Sequence, residues 1–125
     1  KNHFLSWVVN SLSRGEEISV VADQVSNPTY VPDLVQIISD AILLNFLGVF
    51  HVGSENSISR YNFAIQIADI FKFKKKLILP VESSSLNQKA LRPLNSSLNC
   101  NKLQSEMNIE LYPVEYGIRR VNLSI

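Results

Sequence analysis

A short apolar run that breaks into polar residues and restarts as a helix constrains this chain more than any other stretch. Residues 18–22 are mostly β-branched, which is typical of a strand, and the polar residues Asp23 and Asn27 supply the turn chemistry that ends it. Pro32 suits the first position of a helix, because its missing N–H would have no partner there. Asp33 follows in the first turn, where unpaired N–H groups stabilise a carboxylate. The stretch therefore predicts a strand, a polar turn and a helix.

Apolar spacing along the rest of the chain predicts short strands and four or five helices, which is a mixed α/β class. The predicted helices span residues 4–12, 34–44, 60–71 and 102–107, with a last one from about residue 113. The predicted strands span residues 18–22, 29–31, 48–53 and 77–80. The wide apolar stripe of 34–44 predicts a well-buried helix, and the apolar run 48–53 predicts a strand buried on both faces. Residues 82–101 are polar and predict a long irregular segment.

Composition limits what the chain can be. Its 125 residues allow at most one compact domain, and a net charge of +1 implies neither nucleic acid nor an anionic membrane as partner. No apolar run approaches the ~18–20 residues that span a bilayer. Cys100 is the only cysteine, which excludes an internal disulfide and fits a reducing, cytoplasmic setting. The first residues lack an initiator Met and a signal-peptide pattern, so we expect a fragment of a longer polypeptide.

Several single features have ordinary structural interpretations. The basic run 72–76 is best explained as a solvated helix end, since cations complement the C-terminal dipole there. His51 inside an apolar run is more often a hydrogen-bonded core residue than a metal ligand. Arg92 precedes a proline and has a guanidinium suited to phosphate or carboxylate. From composition alone, Arg92 could equally pair with a nearby acid or carbonyl to fix its loop.

The sequence lacks the usual signatures of a complete enzyme. Its four glycines are isolated, so no glycine-rich phosphate loop is present, and no tyrosine is followed four residues later by lysine. Two histidines and one cysteine offer little for a nucleophile and base. We therefore expect no catalytic, cofactor-binding or metal-binding residues in this chain.

Four motifs in order resemble one known family. They are Asp-Gln…Pro-Thr-Tyr-Val-x-Asp-Leu from residue 23, Gly-Val-Phe-His-Val-Gly-Ser from 48, Ile-Ser-Arg-Tyr-Asn-Phe-Ala from 58, and Arg-Pro-x-Asn-Ser-x-Leu from 92. Together they resemble the C-terminal part of the dTDP-4-dehydrorhamnose reductases, which are extended short-chain dehydrogenases. The resemblance covers roughly residues 2–121.

The resemblance implies that the rest of the enzyme lies outside this chain. In the family, an N-terminal Rossmann domain binds NADPH and supplies the catalytic Thr, Tyr and Lys. The substrate, a dTDP-linked 4-keto-6-deoxy sugar, lies in the cleft between that domain and the C-terminal part. Residues 1–125 would then form a single substrate-binding region without a Rossmann core, and it would be inactive alone.

The resemblance also implies a set of substrate-side residues. Asp23, Gln24 and Thr29 would position the sugar, and Arg92 would contact the diphosphate. The full implied set is Asn2, Phe4, Asp23, Gln24, Asn27, Thr29, Arg92, Asn95 and Ser96. Packing against the Rossmann domain in the family further implies that residues 4–12, 34–44 and 48–52 lack their cover here, which would favour self-association.

Two alternatives share the same architecture. One is a non-catalytic regulatory subunit resembling the β subunit of methionine adenosyltransferase. The other is a different nucleotide-sugar enzyme, an epimerase or a dehydratase. A homodimer is left open by the resemblance.

Overall fold

The computed structural model describes residues 3–86 and 90–123 of the chain. Five α-helices and four short strands lie within these residues, which confirms the mixed α/β class. In order, the elements are α1 (Phe4–Ser13), β1 (Ile18–Val21), β2 (Val25–Ser26), α2 (Val31–Leu43), β3 (Ile58–Ser59), α3 (Arg60–Ile70), β4 (Ile78–Val81), α4 (Asn101–Met107) and α5 (Val114–Leu123). Short 3₁₀ turns lie at Lys75–Leu77 and Ser83–Ser85.

The strands pair in two separate two-stranded sheets. β1 and β4 are parallel, with Ile18 opposite Ile78 and Val21 opposite Val81. β2 and β3 are antiparallel, with Val25 opposite Ser59. The pairing of β2 with β3 brings the turn after β1 against the start of α3.

The main core lies between α1, α3, α5 and the parallel sheet. Val8 and Ile67 are fully buried there, and Ile118 of α5 closes the cluster. The predicted helix 4–12 is therefore confirmed, and its apolar stripe is covered within this chain, contrary to the expectation that it would lack cover. A smaller cluster forms around Leu103 and Met107 of α4.

Two strand predictions are wrong. Residues 29–30 are irregular and Val31 is already helical. The strand that pairs with β3 is β2, which forms four residues earlier. Residues 48–53 form no strand within the described part of the chain, and Val49 is 79% exposed. His51 is exposed as well, so its prediction as a core residue is also wrong.

The burial predicted for the second helix is wrong too. α2 forms as expected, with Pro32 at its start and Asp33 in its first turn, but none of its residues is buried. Ile37 and Ala41 only partly cover the small α4 cluster. The expectation that this helix lacks cover in the isolated chain is confirmed.

Candidate functional site

Two adjoining cavities bring together four of the nine residues that the sequence singled out. The first, about 260 Å³, lies between the start of α1, strand β1 and the segment that contains Leu86 and Arg92. The second, about 130 Å³, lies between β2 and residues 92–96. Gln24, Arg60 and Arg92 line both cavities. We call the two together the arginine cleft.

Phe4 forms the wall of the cleft at the start of α1. Its ring stacks on Phe63 with centroids 5.6 Å apart, and the guanidinium carbon of Arg60 lies 5.4 Å from its centroid. A cation at this distance from a ring face is attracted by the ring quadrupole. Phe4 therefore holds the Arg60 side chain at the edge of the cavity.

Arg60 owes its place to the start of α3. The Ser59 hydroxyl accepts a hydrogen bond from the Asn62 N–H at 3.1 Å and so caps the helix. The Arg60 N–H donates to the Gln24 carbonyl at 3.0 Å, which joins the helix start to the turn after β1. These two contacts fix the backbone that carries the guanidinium.

Gln24 is the most buried of the expected substrate-side residues that the structure describes, at 7% exposure. Its side-chain amide donates to the Ser83 hydroxyl at 2.8 Å. The remaining surface of the residue lines the cleft between Arg60 and Arg92. Gln24 thus links the parallel sheet to the cavity wall.

Asp23 lies beside the cleft but does not line it. Its carboxylate accepts hydrogen bonds from the Ser83 hydroxyl at 2.6 Å and from the Ser83 N–H at 3.0 Å. The side-chain hydrogen bond from Ser83 is the main cause that holds the pKa of Asp23 below its usual value. In this chain the carboxylate ties β1 to the turn after β4.

Asn27 also makes structural contacts. Its amide donates to the Ser54 carbonyl at 3.0 Å, and its side-chain oxygen accepts from the Leu98 N–H at 2.8 Å. A Cβ at Gly53 would lie 3.0 Å from the Asn27 Cβ, so a larger residue there would need this crossing to widen by a few tenths of an ångström. Asn27 therefore clamps three segments together, outside the cleft.

Thr29 does not line the arginine cleft. Its hydroxyl donates to the Asn27 carbonyl at 2.9 Å. The side chain lines two larger cavities, of about 460 and 410 Å³, that adjoin α5. The structure thus separates Thr29 from Gln24, although the sequence places both in one turn.

The segment that carries Arg92 is held by β2. The Val25 N–H donates to the Leu94 carbonyl at 2.7 Å, and the Ser96 N–H donates to the Val25 carbonyl at 2.9 Å. Ser96 lines the second cavity, whereas Asn95 turns its side-chain oxygen to Ser97. Asn2, the remaining expected residue, lies outside the described residues.

The Arg92 guanidinium is exposed and has no hydrogen-bond or ion-pair partner within residues 3–86 and 90–123. The alternative that Arg92 fixes its loop through an acid or carbonyl therefore has no support in this part of the chain. Among the residues that the structure describes, no acidic side chain lines either cavity of the cleft. Two arginines facing a cavity without carboxylates suit an anionic ligand.

A larger cavity, of about 460 Å³, has the opposite character. It lies between α2 and α5 and is lined by Asp33, Asp40 and Glu110, with Arg120 as the basic residue. Arg120 is already paired with Asp33, with 2.8 Å between the nitrogen and oxygen atoms. Its volume alone would favour this cavity, but its three carboxylates fit a phosphorylated ligand poorly.

Sequence reasoning missed Arg60 and Ser83. Arg60 directly follows Ser59 and is the first residue of the predicted helix 60–71, and that position was the available signal. Its proximity to Gln24 depends on the β2–β3 pairing, which two-residue strands do not reveal in the sequence. Ser83 lies in a polar serine run that offers no pattern of its own.

Other kinds of site lack support in the described residues. No group of three or more His, Cys, Asp or Glu side chains there could hold a metal ion. None of the helices in residues 3–86 and 90–123 has the length and apolar character needed to cross a membrane.

Comparison with known proteins gives a consistent family. A solved structure of dTDP-4-dehydrorhamnose reductase from Bacillus anthracis, in complex with NADP, superposes with a TM-score of 0.93 at 32% identity. That match covers 100% of this chain and 44% of that chain. The dTDP-4-dehydrorhamnose reductase of Aggregatibacter actinomycetemcomitans is 28% identical over 120 residues, which is 87% of this chain and 41% of the relative.

A further relative belongs to a different functional class. The methionine adenosyltransferase 2 subunit beta of Danio rerio is 26% identical over 98 residues, or 74% of this chain and 30% of the relative. This chain thus spans less than half the length of each of these relatives. The model of the RmlD substrate binding domain matches residues 1–123. The chain belongs to the RmlD substrate-binding domain family.

Proposed function

We propose that this chain is the substrate-binding part of an NADPH-dependent reductase that converts dTDP-4-dehydro-6-deoxy-L-mannose to dTDP-L-rhamnose. Residues 1–125 form one region, and an N-terminal Rossmann domain of the same polypeptide supplies NADPH and the catalytic tyrosine and lysine. The nucleotide sugar lies in the arginine cleft, and the enzyme works in the cytoplasm. The chain alone is inactive.

The observation that carries this proposal is the pairing of Arg60 and Arg92 around a cavity without carboxylates. A nucleoside diphosphate carries negative charge and several acceptor oxygens, which arginine forks bind with charge-assisted hydrogen bonds. Phe4 and Trp7 add aromatic surface at the same cavity, suited to a sugar or a base. Gln24 supplies a polar group between the arginines.

The residues of this chain do not fit the dinucleotide cofactor. Binding of a dinucleotide pyrophosphate needs a glycine-rich turn that leads from a strand into a helix N-terminus. Here β1 leads into Ala22, Asp23 and Gln24, and the four glycines of the sequence are isolated. We therefore assign NADPH to the N-terminal domain.

The test uses the full-length gene product with dTDP-4-keto-6-deoxymannose and NADPH. We expect substrate-dependent oxidation of NADPH and a Tyr-x-x-x-Lys pair upstream of residue 1. Calorimetry on the 125-residue chain should detect no NADPH binding. Micromolar affinity of that chain for NADPH would overturn the assignment of the cofactor to another domain.

The similarity to the methionine adenosyltransferase subunit supports a second candidate, a regulatory subunit. The family model and the solved reductase structure favour the reductase. The same assay separates the two, since a regulatory subunit would leave NADPH unoxidised and would co-purify with a partner enzyme. That pair of results would replace the reductase proposal.

A further inference from the structure

The cavity between α2 and α5 is large and partly apolar. We call it the α2–α5 cavity; its volume is about 460 Å³. Among the described residues, it shares no lining residue with the arginine cleft. Ile37, Ile109 and Leu111 supply an apolar wall. A volume of several hundred cubic ångströms is typical of a small-molecule site, so the cavity has room for an organic ligand.

The carboxylates of the α2–α5 cavity outnumber its basic groups. Among the described residues that line it, Asp33, Asp40 and Glu110 are acidic and Arg120 alone is basic. Arg120 pairs with Asp33, so these two charges offset each other. Within the described part of the chain, neither Asp40 nor Glu110 takes part in an ion pair. Asp40 accepts a hydrogen bond from the Gln36 amide, which leaves its charge in place. Two carboxylates therefore remain to attract a cation.

The helix ends at the cavity do not favour an anion instead. Helices α2 and α5 both begin there, and a helix N-terminus attracts anions through unpaired N–H groups. The Tyr30 carbonyl accepts hydrogen bonds from the N–H groups of Asp33 and Leu34, at 3.1 and 3.2 Å. The Val114 N–H donates to the Asn56 side chain at 2.9 Å. These N–H groups are therefore occupied from within the chain.

One cation of the chain already lies in an aromatic stack beside the cavity. The guanidinium carbon of Arg120 lies 5.0 Å from the Tyr30 ring centroid and 5.6 Å from the Tyr116 ring centroid. Tyr116 stacks on Tyr112, with ring centroids 4.4 Å apart and 20° between the ring planes. Tyr112 is 50% exposed and lines the cavity. Because aromatic faces attract cations within about 6 Å, a second cation on Tyr112 would extend this stack.

We propose that the α2–α5 cavity binds an organic cation through an ammonium or guanidinium group. The cation lies against the Tyr112 ring, where Glu110 and Asp40 provide the opposite charge. The alkyl part of the ligand contacts Ile37 and Ile109. Aromatic faces recognise organic cations, and hydrogen bonds from a cation to a carboxylate are strong. The site is an addition to the proposed reductase function and does not depend on it.

Calorimetry on the full-length protein tests the site with agmatine, which carries a guanidinium group at one end and an ammonium group at the other. We expect binding that weakens as the salt concentration rises, because salt screens attraction between exposed charges. 1,4-Butanediol has a similar carbon chain without charge and should bind at least about tenfold more weakly. Equal affinity for the two compounds would overturn recognition of the charge. Absence of agmatine binding at millimolar concentration would overturn the site.

Two variants of the full-length protein locate the cation in the cavity. Glu110→Gln removes a charge and keeps the shape of the side chain, whereas Tyr112→Leu removes the ring. Each should weaken agmatine binding about twofold to fivefold, as expected for exposed charge pairs and exposed cation–π contacts. Glu106→Gln removes an exposed carboxylate that does not line the cavity and is the matched control. If Glu110→Gln weakens binding no more than Glu106→Gln, the proposal is wrong. Retained affinity in Tyr112→Leu would contradict the aromatic contact.

Displacement of agmatine distinguishes two sources of the cation. Spermidine represents a free amine, and N-acetyl-arginine amide represents an arginine side chain of another protein. Displacement by spermidine alone would support a free polyamine as the ligand, and displacement by the arginine derivative alone would support a basic segment of a partner. Displacement by both would support the shared chemistry. If neither compound displaces agmatine, the cavity does not recognise organic cations as a class and the proposal fails.

Discussion

Ser83 donates two hydrogen bonds to the carboxylate of Asp23, one from its hydroxyl at 2.6 Å and one from its backbone N–H at 3.0 Å, across sixty positions of sequence. The contact joins the residues that follow the two parallel strands β1 and β4. The resemblance implied that Asp23 positions the sugar. In this chain the Asp23 carboxylate accepts hydrogen bonds beside the cleft, and Gln24 lines the cavity.

The Asp23–Ser83 contact makes the stability of the fold depend on pH in the acid range. The hydrogen bonds hold the folded-state pKa of Asp23 below its usual value. The contact therefore stabilises the fold at pH values above the unfolded-state pKa of about 3.9. This stabilisation is lost as the pH falls through the lower, folded-state pKa. Asp23→Asn should lower the thermal midpoint at neutral pH and reduce its dependence on pH below about 4. Glu106→Gln, an exposed change on α4, is the control, and parallel pH profiles for Asp23→Asn and wild type would contradict the prediction.

Asn27 should be important for stability rather than for binding. Asn27→Ala removes a donor to the Ser54 carbonyl and an acceptor for the Leu98 N–H, so we expect a loss of about 1–3 kcal/mol in the free energy of unfolding. Urea denaturation of the full-length protein measures it. Asn27→Asp keeps the acceptor and should cost less. A large loss of nucleotide affinity with unchanged stability would show instead that Asn27 binds ligand.

Arg92 should control affinity for the diphosphate. Arg92→Met in the full-length enzyme should weaken dTDP binding roughly tenfold to a hundredfold, because hydrogen bonds to charged groups contribute about 1.5–3 kcal/mol. Arg92→Lys should recover part of the loss, since it restores the charge without the fork. Arg119→Met, which breaks an exposed pair with Glu115, is the control in calorimetry. Unchanged affinity in Arg92→Met would exclude Arg92 from the site.

Ser59 should stabilise α3 and thereby fix Arg60. Ser59→Ala removes the cap that accepts the Asn62 N–H and should cost about 1 kcal/mol of stability. Ser59→Asp keeps an accepting oxygen at the cap and should retain most of it. Chemical denaturation measures both variants. Equal stability of Ser59→Ala and wild type would show that the cap contributes little here.

Local signals in the sequence were sufficient for the helices. Apolar spacing and end residues gave α1 and α3 to within a residue or two. The same reasoning was wrong for residues 48–53 and for the burial of α2. In both cases the apolar pattern is present, but the described residues leave much of it exposed, so pattern and burial disagree.

The site was only partly predictable. Phe4, Gln24, Arg92 and Ser96 were expected together, and the structure brings them to one cleft. Asp23 and Asn27 share the same motif, yet they turn their side chains to Ser83, Ser54 and Leu98. The direction of a turn residue's side chain depends on contacts with segments more than twenty positions away. The spacing of residues within the motif does not predict those contacts.

The parallel pairing of β1 with β4 also sets the order in which the chain can fold. Ile18 has no strand partner until Ile78 has been synthesised, and the intervening loop must close before the pair forms. α1 and β1 therefore emerge before α3 and β4, with the face that later packs on α3 still exposed. We expect the domain to refold slowly for its size, since non-local parallel strands form late. Chains truncated before β4 should aggregate.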